Sequence, residues 1–397
     1  MPKIDESKIN YLLSRGVENI YPDKESFKKL LMSGKKLKLY HGIDPTGDTL
    51  HLGHMVQLLK LRQFQKLGHK VIVLIGDFTA QIGDPDKMTT RKPLTHKEVL
   101  ENCKNYKKQI ARILDIEKTE FKYNSKWLGK LNFKDLISLA SNFTVQQMLA
   151  RDMFKKRIAE GKDLYFHEFL YVLMQAYDSV VLDVDLETGG SDQMFNMLAG
   201  RTLMRRLKDK EKFVLTTKLL EDPNGIKMGK TEGARVDLSD NPTEMFGKIM
   251  SWTDGMIIPA FELLTDITDK GIEMFRQDII VGENPREIKF KLAEEVVKGF
   301  YGDEASIKAG EAFNKQFRDR EKPKKMIEKK VSQKMLNIVD LVFKLGLAGS
   351  KGEARRLIEQ GGVKIDDEKI TDREAMIGVH NGMIVQVGKL KFIKIKQ

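Results

Sequence analysis

One stretch, residues 36–78, constrains the fold more than any other part of the chain. A β-prone run at 37–43 leads into a turn built on Asp44, Pro45, Thr46, Gly47 and Asp48. Apolar Leu50, Leu58, Leu61 and Phe64 then recur at helical spacing until Gly68 stops the pattern, and residues 71–75, Val-Ile-Val-Leu-Ile, read as a buried strand. Strand, helix, strand is the unit of a parallel sheet, and open parallel sheets bind ligands beyond the carboxyl ends of their strands. His51 and His54 stand three apart in the first helical turn, so they share a face, and Gly53 between them leaves the backbone approachable. Unpaired N–H groups and the helix dipole at this end predict an anion site, with phosphate the natural ligand.

Further along, a second glycine-punctuated loop at a strand end runs from Gly76 to Asp84, with basic Lys87, Arg91 and Lys92 after it. Patterning predicts helices at 95–114, 142–160 and 164–180 and strands at 120–123, 181–186 and 213–217. It also predicts two helices within 1–35, on either side of a break at Tyr21-Pro22-Asp23. Gly189-Gly190-Ser191-Asp192-Gln193 opens another helix, with Ser191 and Asp192 suited to its cap and first turn. Residues 241–330 read as helices alone, punctuated by Pro242, Pro259, Pro285 and Pro323. From 336 onward a short helix carrying Arg355 and Arg356, a Gly361-Gly362 turn and alternating β-type residues form a last unit. The expected fold is therefore a parallel-sheet α/β domain at 1–235, a helical domain at 236–330 and a small α+β domain at 331–397.

Composition narrows the function classes. No apolar run approaches the ~20 residues of a membrane span, and the first residues lack the apolar core of a secretory signal. Cys103 is the only cysteine, which excludes intramolecular disulfides and cysteine zinc sites and suits the cytoplasm. It falls on the face of Val99, Tyr106, Ile110 and Ile113, where a buried inert thiol is expected. The formal charge is +12, and residues 320–397 hold 18 Lys+Arg against 10 Asp+Glu, so most of the excess lies in the last fifth of the chain. That bias points to a polyanion partner.

Each short motif has a plain alternative. His51 and His54 alone suit a capped helix with ordinary surface histidines, and no third ligand at metal spacing makes them a zinc site. Lys227-Met-Gly-Lys230-Thr231 ends like a phosphate-binding P-loop, but Asn224 stands where that motif needs glycine and no strand precedes it. No Gly-x-Gly-x-x-Gly follows a strand, against a dinucleotide enzyme. Tyr171, Gln175 and Asp178 share one helical face, which a core helix with a polar edge would also give.

In combination the signals are more specific. A His-x-Gly-His on the first helix of an α/β domain, with a Lys-Met-x-Lys-Thr loop after its last strand, resembles the class I aminoacyl-tRNA synthetases, where the two signatures are called HIGH and KMSKS. Tyr40-x-Gly42-x-Asp44-Pro-Thr46, the Tyr171–Asp178 helix and the Gly-Gly-Ser-Asp-Gln segment are similar to the tyrosyl branch of that family, and a phenol suits Tyr40 and Asp178 better than the indole of its tryptophanyl sister. The resemblance implies a Rossmann-like catalytic domain, ATP as substrate with Mg2+, and no protein-bound cofactor. It implies that Tyr40 and Asp178 bind the tyrosine phenol, that Tyr171, Gln175 and Asp84 hold its ammonium, and that Gln193 orients its carboxylate. Asp44 would lie near the substrate and adenylate, and Gly42 and Asp192 would contact the ribose. Thr46, His51, Gly53 and His54 would face the ATP phosphates from the helix side, and Lys227 and Lys230 from the loop. The last unit resembles an S-four-type RNA-binding domain, whose Lys351, Arg355 and Arg356 would meet tRNA(Tyr), with 236–330 approaching the anticodon. A cytoplasmic homodimer binding tRNA across two subunits is implied as well. Glu187 stands where many relatives have glutamine, and Gly229-Lys230-Thr231 where the consensus reads Ser-Lys-Ser. A nucleotidylyltransferase would share His-x-Gly-His without needing the basic final unit.

Overall fold

In the computed structural model of the chain, described for residues 5–84, 94–225, 235–317, 326–388 and 391–396, two compact units divide at Ala309–Gly310. The larger is organised by a six-stranded sheet in the order β1-β6-β5-β2-β3-β4, formed by β1 (Val17–Tyr21), β2 (Lys38–Ile43), β3 (Lys70–Ile75), β4 (Thr119–Tyr123), β5 (Leu186–Gly190) and β6 (Phe213–Thr217). All neighbours run parallel except the edge strand β1, which is antiparallel to β6. The apolar runs that form it are buried on both faces, with Leu39, Val71, Ile72, Val73, Leu186, Val214 and Leu215 fully enclosed, as covering helices require. Strand order reverses between β2 and β5, and this switch point opens the crevice where a parallel sheet takes its ligand.

The helix Leu52–Lys66 links β2 to β3, and the helices Phe166–Leu182 and Met194–Lys208 flank β5. Those two pack on each other through Val172, Leu173, Ala176, Val180, Ala199 and Leu203. Helices between Pro242 and Tyr301 belong to the same unit as the sheet. Buried Arg15 ties them to the N-terminal segment, donating to the carbonyls of Glu262 and Phe261 at 2.6 and 2.8 Å and to Asp269 at 2.6 Å.

Several sequence expectations change here. Val17–Tyr21 is an edge strand rather than helix, because its backbone completes the ladder of β6. The helix expected at 164–180 continues to Leu182, and the strand expected at 181–186 begins only at Leu186, after Asp183 turns the chain with φ 48°. The long helices expected at 95–114 and 142–160 are each broken into short pieces, and Asn142–Thr144 is not helical. Gly189 and Gly190 close β5, and Ser191–Gln193 is a single 3-10 turn before the helix, with no side-chain cap from Ser191. Cys103 is half-buried rather than buried, its thiol pushed up by desolvation.

The smaller unit holds a five-stranded sheet in the order Glu368–Ile370, Val363–Ile365, Ile384–Val387, Lys391–Lys396 and Ile327–Lys330. Its core joins Ile338, Leu341 and Val342 of the helix Ile338–Lys344 to Ala354 and Ile358 of the helix Lys351–Glu359. Among the described residues no helix is long and apolar enough to cross a membrane.

Candidate active site

The turn after β2 is pinned from three sides. Thr46 N–H donates to the Asp44 carbonyl at 2.8 Å, Asn102 to the Pro45 carbonyl at 2.9 Å and the Tyr106 hydroxyl to the Gly47 carbonyl at 2.6 Å. Asp44 points inward, its two oxygens accepting from Thr79 at 2.7 Å and from the Tyr171 phenol at 2.9 Å. A Cβ on Gly76, the residue after β3, would overlap both Asp44 Oδ1 and Thr79 Oγ1, so only glycine lets these two strand ends carry that pair.

Asp178 is enclosed in the same crevice and accepts from Trp127 Nε1 at 2.7 Å and Asn124 Nδ2 at 3.2 Å. Asn124 also donates to Thr79 Oγ1 at 3.1 Å, so one relay runs Trp127, Asp178, Asn124, Thr79, Asp44, Tyr171. Burial lifts the Asp178 carboxyl well above the usual carboxylate range, against the pull of its two N–H donors. Tyr40, fully enclosed, meets Ser179 Oγ at 3.0 Å, and Trp127 packs on its cluster; burial raises its phenol, and raises that of Tyr171 as well.

Across the crevice, Asp84 accepts from Arg151 at 3.2 Å and from Gln193 Nε2 at 2.7 Å, while Gln193 Oε1 accepts from Asn196 at 3.1 Å. Gln175 donates to Glu187 at 3.3 Å, and its Oε1 is buried with no hydrogen-bond partner among the described residues. Gly42 is the exposed residue of β2, and a Cβ there would meet nothing within 4 Å. Gly190 is different: a Cβ there would lie 2.6 Å from Asp192 Oδ1.

The start of the helix Leu52–Lys66 differs from its expected form. His51 is the N-cap; Gly53 N–H donates to His51 Nδ1 at 3.1 Å and His51 N–H to His54 Nδ1 at 3.2 Å. Leu52 N–H donates to the Val236 carbonyl at 3.0 Å. The first-turn donors expected to hold an anion are therefore already paired. A different pair of donors takes their place. Since each Nδ1 accepts, a neutral imidazole must carry its proton on Nε2, and the two rings, 4.0 Å apart, form adjacent donors.

Lys227 and Lys230 lie outside the described residues. The chain beyond them is anchored to this same turn: Leu238 N–H donates to the Leu50 carbonyl at 2.7 Å, Asp237 bridges to His51, and Arg235 donates to the Thr49 carbonyl at 3.2 Å. In the smaller unit Arg355 and Arg356 are exposed on the helix Lys351–Glu359, and Lys351 pairs with Asp340 at 2.6 Å.

The structure thus gathers Tyr40, Asp44, Asp84, Tyr171, Gln175, Asp178 and Gln193 around one crevice. It adds Thr79, Asn124, Trp127, Arg151, Ser179 and Lys212, which sequence reasoning missed. Asn124 had a signal, since it follows directly on a parallel strand; Lys212 sits in a charged run and had none.

Residues 32–318 match the family model for tRNA synthetases class I (W and Y), and residues 337–380 match the S4 domain. A tyrosine–tRNA ligase of Thermotoga maritima is 44% identical over 387 residues, covering 97% of this chain and 96% of that one. Its counterpart from Moorella thermoacetica is 42% identical over 390 residues, covering 97% and 94%. The structure of Archaeoglobus fulgidus tyrosyl-tRNA synthetase complexed with L-tyrosine matches with a TM-score of 0.61 at 23% identity, over 77% of this chain and 100% of that one, a likeness of fold. With a doubly wound sheet, a histidine pair capping its first helix and near-full-length relatives of this identity, the chain belongs to the class I tyrosyl-tRNA synthetases.

Proposed function

We propose that the chain activates L-tyrosine with ATP to tyrosyl-adenylate and passes the tyrosyl group to the 3′ end of tRNA(Tyr), with the crevice at the switch point as its site. The observation that carries the site assignment is the buried relay from Trp127 through Asp178, Asn124, Thr79 and Asp44 to Tyr171, whose members Asp44, Thr79 and Asn124 follow the carboxyl ends of β2, β3 and β4. A phenol between Tyr40 and Asp178 finds polar partners already held in place. Phenylalanine would leave those groups unpaired in a dry pocket, which is a costly way to bind. Tyr171, Asp84 and the unpartnered Gln175 oxygen suit an ammonium, and Gln193 suits the carboxylate.

In the first step a tyrosine carboxylate oxygen attacks the α-phosphorus of ATP and the α–β bridging P–O bond breaks, its electrons leaving with pyrophosphate. No covalent enzyme chemistry is needed, only donors placed for the charge that grows on the phosphates. Thr46 and the two Nε2–H groups of His51 and His54 serve from the turn, with Gly53 allowing close approach. Gly42 and Asp192 lie on the ribose side. Lys227 and Lys230 serve the phosphates from the loop. In the second step a ribose hydroxyl of the tRNA attacks the tyrosyl carbonyl and AMP leaves.

Mg2+ belongs to ATP in this reading. Among the described residues no three His, Cys, Asp or Glu side chains converge on a metal position, so no step is assigned to a protein-held ion. We assign catalysis to 1–235, anticodon approach to 236–330 and RNA binding to 331–397, where exposed Arg355 and Arg356 with Lys351 suit phosphates. A homodimer is supported by apolar Phe133, Ile137, Val145 and Phe166, which are 77%, 55%, 69% and 77% exposed. A translation enzyme with one thiol suits the cytoplasm. Tyrosine-dependent exchange of pyrophosphate into ATP, followed by charging of tRNA(Tyr), tests the activity. Absent exchange, or equal exchange with phenylalanine or tryptophan, would overturn it. Sedimentation that returns a monomer would remove the dimer.

A further inference from the structure

Behind Tyr40 lies a second polar cluster that the reaction does not use. Tyr40 on β2 is the cross-strand partner of Glu187 on β5, at the point where strand order reverses. Glu187 is 2% exposed and forms an ion pair with Lys212, which is wholly buried at the entry to β6. Ser179 completes the group, with its Oγ 3.0 Å from the Tyr40 hydroxyl, 2.9 Å from Lys212 Nζ and 3.2 Å from Glu187 Oε2. Gly200, on the facing helix, makes room for it: a Cβ there would lie 2.6 Å from Lys212 Nζ and 2.7 Å from Ser179 Oγ.

Hydrogen bonds tie this cluster to both ends of the pocket. Lys212 has three N–H donors and spends them on Ser179 Oγ, Glu187 and the Met197 carbonyl. Ser179 Oγ therefore accepts from Lys212. Ser179 Oγ in turn reaches Glu187, and the Tyr40 hydroxyl meets the same oxygen at 3.0 Å, where either of the two can donate. The cluster therefore holds the Tyr40 hydroxyl in place beside Asp178. The same carboxylate acts at the other end of the pocket: Glu187 Oε1 takes the Gln175 Nε2–H at 3.3 Å, so the unpartnered Gln175 Oε1 is turned away from it.

We infer that the Lys212–Glu187 pair, acting through Ser179 and Gln175, positions the Tyr40 hydroxyl at one end of the tyrosine pocket and orients the Gln175 amide at the other, turning its oxygen toward the substrate ammonium. This rests on the reading of the crevice as the tyrosine site and makes Lys212, Glu187 and Ser179 positioning residues for selection. Stability alone is a weak reason for the pair, because a buried ion pair seldom outperforms apolar packing of the same volume.

The test measures kcat and KM for tyrosine, phenylalanine and ATP by pyrophosphate exchange, with thermal melting of every variant. Ser179→Ala cuts the link to Tyr40 and leaves the ion pair in place. It is expected to raise the KM for tyrosine about tenfold, the loss of one well-placed buried hydrogen bond. The tyrosine-to-phenylalanine preference should fall by the same factor, with kcat and the KM for ATP unchanged. Lys212→Met combined with Glu187→Gln buries no lone charge and frees the Gln175 amide to turn, so tyrosine KM should rise further. A folded Ser179→Ala enzyme with the original tyrosine KM and preference would overturn the inference. So would a loss of kcat shared equally by tyrosine and phenylalanine, the mark of a merely structural role. If the unaltered enzyme did not distinguish the two amino acids, the reading of the crevice itself would fall, and this inference with it.

Discussion

The two halves of the crevice are built differently. On the side proposed for the amino acid, Tyr40, Asp178, Asp44 and Tyr171 come from β2, the turn after it and one long helix, are largely buried, and are held by hydrogen bonds that leave little freedom. On the side proposed for ATP, two half-buried histidines sit on a turn whose backbone is paired, and Arg235 and Leu238 hold to the same turn. Discrimination between similar amino acids needs preformed, desolvated partners, because an unmatched substrate must then leave them unpaired. Transfer of a phosphoryl group needs donors that meet charge as it develops, and those act by position. The contrast gives each half its own kinetic signature.

Asp178→Ala should be the largest single effect. It removes an acceptor for the phenol and strands the N–H groups of Trp127 and Asn124 in a buried site. Tyrosine-dependent exchange should fall by about a thousandfold in kcat/KM, with the KM for ATP little changed. An ATP defect of similar size would erase the division between the halves. Lys230→Ala should act in the opposite sense, slowing adenylate formation about 100-fold while equilibrium binding of tyrosine stays as it was. An unchanged rate in single-turnover activation would remove that lysine from the site.

The amino-acid half was only partly legible in the sequence, and the reason is physical. Tyr171, Gln175 and Asp178 announce themselves by helical spacing, and β2, β3, β4 and β6 by β-prone runs. The residues that orient them, Asn124, Thr79, Arg151 and Lys212, come from four other segments and meet only when the sheet assembles. Edge strand β1 is not legible locally because its partner in β6 lies 200 positions away in sequence, Val17 opposite Thr217. The histidine turn was legible as a helix start, yet its local chemistry inverted the expectation. Side-chain nitrogens took the N–H groups that phosphate was expected to use.

Two glycines compare the halves more finely. Gly76→Ala should cost about 1–3 kcal/mol of stability, because its Cβ must displace Asp44 or Thr79 from a packed site, and tyrosine KM should rise with it. Gly42→Ala meets no atom of the described residues within 4 Å and should leave the melting temperature unchanged or slightly raised. It should instead weaken ATP by about tenfold, since the added methyl occupies the open face of β2. Equal stability losses in both variants would show that the crevice above Gly42 is packed and not a ligand surface.

The smallest effects separate the two duties of His51. As N-cap it accepts from Gly53 N–H, a contribution of about 1 kcal/mol to the helix. In its proposed role as a phosphate ligand it would act through the opposite nitrogen. His51→Ala loses both, so it should melt lower and activate more slowly. His51→Asn restores a good cap, because an asparagine oxygen accepts the same N–H, while its amide cannot reach as far as Nε2. Its melting temperature should match the unaltered protein and its adenylate formation should remain about tenfold slow. Stability and rate then come apart at one residue. If asparagine restored both together, the histidine would be a cap alone, and the ATP half would rest on His54 and the lysines.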